Sequence, residues 1–168
     1  MTFGPQEFRA YARLRFLPDP TSPEQEEPSL GADAPDEYDL LRATLDVLSE
    51  HTRTPEDLYF SMWDGWGTPP TLQGMPMMTV PERSYFLFRG ALADFDDWDS
   101  PRMAGISPGD VPPPAFIWPA DHAWCIAFDV DPHYAGMGAT PEAIAQLIAH
   151  PALDVAPADP TEEQPHYE

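Results

Sequence analysis

Between positions 121 and 133 the chain gathers Asp121, His122, Cys125, Asp129, Asp131 and His133, groups that could bind a metal ion or move a proton. Their spacing argues against a shared centre. No CxxC or HxxxH pair occurs, and His122 and Cys125, three apart, point to opposite faces of a strand. Cys125, between Trp124 and Ile126, reads as a small core residue rather than a reactive thiol. A triad of Cys125 with His51 or His150 and an acid can be written, but nothing local presents a nucleophile at an elbow or a helix start. Asp121 and His122 remain as an acid/base pair for an enzyme or small-ligand domain. That reading requires one pocket to hold both, between a sheet and the segments 75–78 and 99–114. The acids Asp94, Asp96, Asp97 and Asp99 lack the Gly and closing Glu of a calcium loop. No metal or cofactor site is assigned.

The elements that would position these groups are organised around LYFSMWDGWG at 58–67, where aromatic residues alternate and Asp64-Gly65 supplies turn chemistry. Residues 83–89 alternate Tyr85 and Leu87 against Phe86 and Phe88, as a strand covered on both sides does. Further strands are expected at 116–118 and 123–130, with edge strands near 77–80 and in LDVA at 153–156. Helices are expected at 35–51, where Leu41, Leu45 and Leu48 form a stripe, and from Pro141 after the N-cap Thr140. Residues 91–98 suit a helical turn. At the start, Phe8, Tyr11, Ala12 and Phe16 fall at helical spacing after Gly4-Pro5. HYAGMGAT, 133–140, reads as a glycine-containing loop. The sum is an α+β domain over 1–156, a small mostly antiparallel sheet with helices packed on one face. A mobile acidic loop is expected at about 18–33 and a disordered acidic tail at 157–168.

A chain of 168 residues can bury a sizeable core, and its single cysteine excludes an internal disulfide. No run has the length of a signal peptide core or a membrane span, so the expectation is a soluble, cytoplasmic protein. There are 29 acids against 8 cations, a formal net charge of -21, and every cation is arginine. The absence of lysine excludes Schiff-base chemistry and a P-loop. Phosphate-rich nucleic acid and anionic membrane need clustered cations that the chain lacks, whereas a basic protein suits its field.

Arg83 and Arg89 bracket an apolar strand and are expected to form structural ion pairs with carboxylates such as Asp64 and Asp121. Of the five tryptophans, Trp66 and Trp98 fall in loops, which makes them candidate anchors for a partner. Asp94, Asp96, Asp97 and Asp99 beside them would steer it.

At YFSMWDGWG, SYFLFRG and FIWPADHAWC the chain resembles a family of uncharacterised proteins from GC-rich bacteria in which these segments recur in that order. Trp63, Asp64, Gly65, Arg89, Trp118, Asp121 and Trp124 carry the resemblance. It spans most of residues 8–155 and implies an intact domain without implying a chemistry. In size, acidity and lack of a catalytic motif the chain is also similar to the small immunity proteins of bacterial toxin systems, including the SUKH type. That similarity implies a non-catalytic module that neutralises a basic toxin. The alternatives are the Asp121/His122 pocket and a structural homo-oligomer subunit, whose sign would be an apolar patch repeated across a two-fold axis.

Overall fold

Eight strands of the computed structural model, which describes residues 2–22, 24–28, 35–66, 72–81, 83–98, 111–128 and 133–167, hydrogen-bond into one sheet. In chain order they are β1 (Ala10–Arg15), β2 (Leu58–Trp63), β3 (Met77–Val80), β4 (Arg83–Gly90), β5 (Phe116–Pro119), β6 (Cys125–Ala127), β7 (Tyr134–Ala139) and β8 (Val155–Pro157). Across the sheet the order is β3-β4-β2-β5-β6-β7-β1-β8, and every neighbouring pair is antiparallel. Two helices, α1 (Glu37–Ser49) and α2 (Pro141–Ala149), pack on one face, which gives the α+β architecture. Among the described residues no helix is long and apolar enough to cross a membrane.

Local chemistry sets both helices. Asp36 caps α1 by accepting from the Tyr38 amide at 2.8 Å, with Glu37 and Asp39 in the first turn. Thr140 caps α2 by accepting from the Ala143 amide at 3.3 Å, and Pro141 occupies the first helical position. Their apolar stripes, Leu41, Leu45 and Leu48 on α1 and Ile144 and Leu147 on α2, meet one side of the strands. Phe60, Met62, Phe86, Phe88, Ile117, Ile126 and Met137 lie on that side. Register confirms the division into faces: Phe60 is opposite Phe88 and Ile117, and Ile126 is opposite both Ile117 and Met137.

Two segments differ from the expectation. Residues 10–15 form a strand and not a helix, with Ala12 and Leu14 in the core and Tyr11, Arg13 and Arg15 on the helix-free face. The aromatic spacing fits either period. What decides is that Arg13 and Arg15 find carboxylates on the helix-free face, so a charged residue can alternate with a core residue. HYAGMGAT is β7, whose glycines lie opposite Tyr11 and Arg13. They are small because the N-terminal segment lies over them as a strap. A Cβ on Gly136 would sit 1.9 Å from the Thr2 carbonyl oxygen, and one on Gly138 would sit 2.3 Å from the Phe8 ring.

The strap is fastened by local bonds as well. Tyr11 Oη accepts from the Phe8 amide at 3.0 Å and donates to the Pro5 carbonyl at 2.9 Å. Gly4, at φ 72°, passes directly over Cys125, where an added Cβ would come within 2.7 Å of Sγ. Gly136→Ala is therefore expected to cost about 1–3 kcal/mol in urea unfolding, because backbone and not a flexible side-chain end must move. An unchanged midpoint would mean that the strap is not seated on β7.

The chain beyond β8 also departs from the disordered tail expected from Pro157 onward. Ala158 donates its amide to the Tyr11 carbonyl at 3.0 Å, and the Tyr167 ring packs edge-on to His133 with centroids 4.8 Å apart. Of the loop expected to be mobile, 18–33, residues 23 and 29–33 lie outside the described residues, while Asp19 is held by Arg13 and Arg15.

Candidate binding face and its flanking polar network

The sheet face turned away from the helices is aromatic. Tyr59, Ser61 and Trp63 of β2 alternate onto it, with Tyr85, Leu87 and Arg89 from β4, Phe116 and Trp118 from β5, and Met78 and Val80 from β3. Towards β7 the strap covers this face. Over β3, β4, β2 and β5, Tyr59, Trp63, Leu87, Trp118, Met78 and Val80 stay partly exposed. Tyr59 and Trp118 stack at 5.4 Å and 14°, and the guanidinium groups of Arg83 and Arg89 lie over the Trp63 and Tyr59 rings at 5.3 and 5.6 Å. Between the strap and these strands opens a cleft of about 400 Å³, walled by Phe8, Phe116, Trp118, Met78 and Val80 among others, with Glu7 and His122 contributing polar groups.

Of the proposed acid/base pair, only His122 reaches this cleft. Its φ of 55° places it in the left-handed region in the turn between β5 and β6. The Asp121 carboxylate is engaged elsewhere. Oδ1 accepts from the Thr52 hydroxyl at 2.7 Å and the Ala123 amide at 3.2 Å, and Oδ2 accepts from the Arg53 amide at 2.8 Å. Burial works against its charge, but the Arg53 amide, the Thr52 hydroxyl and the Ala123 amide hold the carboxyl below its ordinary value. Asp121 thus ties the segment after α1 to the β5–β6 turn, a positional role. Cys125 lies under the strap at the cleft floor, and burial pushes its thiol up to about 12, so it is not a nucleophile at neutral pH.

The ion pairs form with partners other than those expected. Arg89 makes a bidentate pair with Asp57, at 2.6 and 2.7 Å, in place of Asp64 or Asp121. Asp57 ends the turn that enters β2, so the pair closes the β2–β4 register at its start. Asp121 has Arg53 at 3.6 Å as its ionic partner. Arg83 is engaged over Trp63, and Asp64 opens the 3₁₀ turn Asp64–Trp66.

Trp98, expected as an exposed anchor, is 7% exposed. Its ring packs on Phe60 and Phe88 with centroids at 5.8 and 5.2 Å, and Nε1 donates to the Pro112 carbonyl at 2.9 Å. A loop position did not imply exposure, because the 3₁₀ turn Leu92–Phe95 folds back over the helix-side core. The acids around it are only partly available for steering. Asp94 caps its own turn by accepting from the Ala91 amide at 2.7 Å, and Asp96 pairs with Arg42 at 2.7 Å, while Asp97 is exposed. Asp99 and the side chain of Trp66 lie outside the described residues.

A polar network at the β1–β8 end escaped the sequence reading. Arg13 Nη1 and Nη2 donate to the two Asp19 carboxylate oxygens at 2.5 and 3.0 Å. Arg15 donates to Asp19 at 3.0 Å and to Asp154 at 2.5 Å, and His133 Nε2 lies 3.2 Å from Asp19 Oδ1. The Arg13 guanidinium also rests over the Tyr134 ring at 5.1 Å. Desolvation would raise the Asp19 pKa, but the hydrogen bonds from Arg13, His133 and Arg15 hold it well below the usual carboxylate range. The one available signal was the i, i+2 placement of Arg13 and Arg15 with an acid just beyond, legible only once the segment is known to be a strand.

Among the described residues no group of three His, Cys, Asp or Glu side chains converges to hold a metal ion. Comparison with protein-family models, with curated proteins and with solved structures returns no match.

Proposed function

We propose that the chain is a non-catalytic protein-binding module whose partner is a basic protein, most concretely a toxin that it neutralises in the manner of an immunity protein. The observation that carries this is the helix-free face over β2, β4 and β5, where Tyr59, Trp63, Leu87 and Trp118 stay partly exposed on a rigid sheet in a chain of net charge -21. Aromatic side chains fixed on strands lose little freedom on docking and are the type that dominates binding energy, while the acidic surround speeds encounter with a cation. Trp118 and Tyr59 take the anchoring role that Trp98, being buried, cannot fill.

The test is capture from the protein's own cells at low and high salt, with wild type and Trp118→Ala as parallel baits. A stoichiometric basic protein, retained better at low salt and lost from the variant, is the expected result. A partner held equally by both baits would remove this face from the account, and no partner at either salt would remove the reading.

A second reading, a small-ligand domain, is favoured by the cleft of about 400 Å³ beside His122. Its volume lies within the range of small-molecule sites, and its walls are mostly apolar with few polar groups.

A further inference from the structure

The structure assigns the cleft between the strap and β3–β5 as a site for a small amphipathic organic cation, an aromatic or alkyl ammonium. The inference rests on the second reading above, that this cleft is a ligand site, and adds the charge and shape of what it takes. Three observations point the same way.

The first is the wall chemistry. Phe8, Phe116 and Trp118 present rings, and Met78 and Val80 fill the space towards the sheet edge, in a cleft of about 400 Å³. A surface of this kind favours a flat or branched apolar body and, through the negative ring faces, a positive charge held against it. The second is the polar lining. Among the described residues that line it, Glu7 is the only carboxylate and His122 the only imidazole. Glu7 is exposed and makes no ion pair among the described residues, so its charge is available at the mouth. The third is what the same face does with its own cations: Arg83 and Arg89 lie over Trp63 and Tyr59 at 5.3 and 5.6 Å. Neither arginine lines the cleft. A guest cation over Trp118 would repeat the arrangement one strand further in, inside a field set by a net charge of -21.

The cleft is also held open by construction. Phe8 is seated in the space left by Gly138, and its amide is bonded to Tyr11, so the strap wall is fixed and cannot collapse onto β5. A guest therefore enters a preformed space and need not separate packed rings.

The experiment titrates the full-length chain with phenethylammonium and with its neutral isostere 2-phenylethanol, following Trp118 indole and His122 resonances and tryptophan fluorescence. The expected result is saturable binding of both, with the cation tighter by about 3- to 30-fold, the span of a cation–π contact between exposed and desolvated settings. Glu7→Gln, an exposed substitution that leaves the fold intact, should reduce that preference while the affinity for 2-phenylethanol stays the same. Equal affinity for the two probes would overturn the assignment of charge while leaving a ligand site standing. If neither probe saturates, the second reading falls together with the inference. A preference unchanged both in Glu7→Gln and in Trp118→Leu would show that the general field, and not this site, selects the cation, and would overturn the inference.

Discussion

Trp98→Ala is expected to destabilise the protein by about 3–5 kcal/mol, the range for truncating a large aromatic in a packed core. The residue is 7% exposed, and its ring fills the space between Phe60 of β2 and Phe88 of β4 on the helix side. Two losses add. The first is the cavity left where the indole stood. The second is the bond from Nε1 to the Pro112 carbonyl, which joins the end of the 3₁₀ turn to the chain entering β5, as the Tyr38 hydroxyl does at Val111 from α1. Denaturant unfolding of the variant reads the sum of the two. Affinity for the phenethylammonium probe, measured where the variant is still folded, separates stability from binding. A loss below about 1 kcal/mol would place the indole in a looser setting than the packing implies. Trp118→Ala is the contrast, since Trp118 is partly exposed and its truncation should weaken binding more than folding.

What was legible in the sequence follows from whether local pattern and tertiary demand agree. In 58–63 and 83–90 they agree, because each strand alternates large residues onto both faces and both faces are used, one under the helices and one as the aromatic face. The cap at Thr140 and the edge strand at 77–80 are local chemistry and were readable for the same reason, whereas α1, expected from residue 35, begins at Glu37 with Asp36 as its cap. β1 and β7 were not readable, because each carries residues explained only by something outside the segment itself. Arg13 and Arg15 tolerate a sheet face through Asp19 and Asp154, and Gly136 and Gly138 are what the strap requires. The candidate site shares that dependence. His122 and Trp118 could be named from the sequence, but the wall opposite them comes from residues 5–8, more than a hundred positions away, and no spacing rule reports it. Asp121 stands next to His122 in the chain and yet faces the Thr52–Arg53 segment, so adjacency in sequence misled where register would have decided.

Asp19→Ala is expected to cost about 3 kcal/mol at pH 7, towards the lower end for breaking a buried ion pair, since the Asp19 side chain is 24% exposed while that of Arg13 is 7% exposed. The larger part is the penalty for Arg13, left desolvated over Tyr134 without its bidentate acceptor. Asp19→Asn keeps the shape and isolates the charge. Because the folded protein holds the Asp19 carboxyl well below its unfolded value, the stabilisation is fully present above about pH 4 and is lost as pH falls from there towards the depressed folded value. The stability difference between wild type and Asp19→Asn should accordingly shrink steadily as pH falls below about 4. Acidification also relieves repulsion among 29 acids, which acts in the opposite direction, but that relief is common to both proteins and cancels in the difference. Urea unfolding of the pair across this range checks it. A difference that stays flat down to pH 2.5 would mean that Arg13 is held by something other than the Asp19 charge, and the network would then be a packing feature, not an electrostatic one.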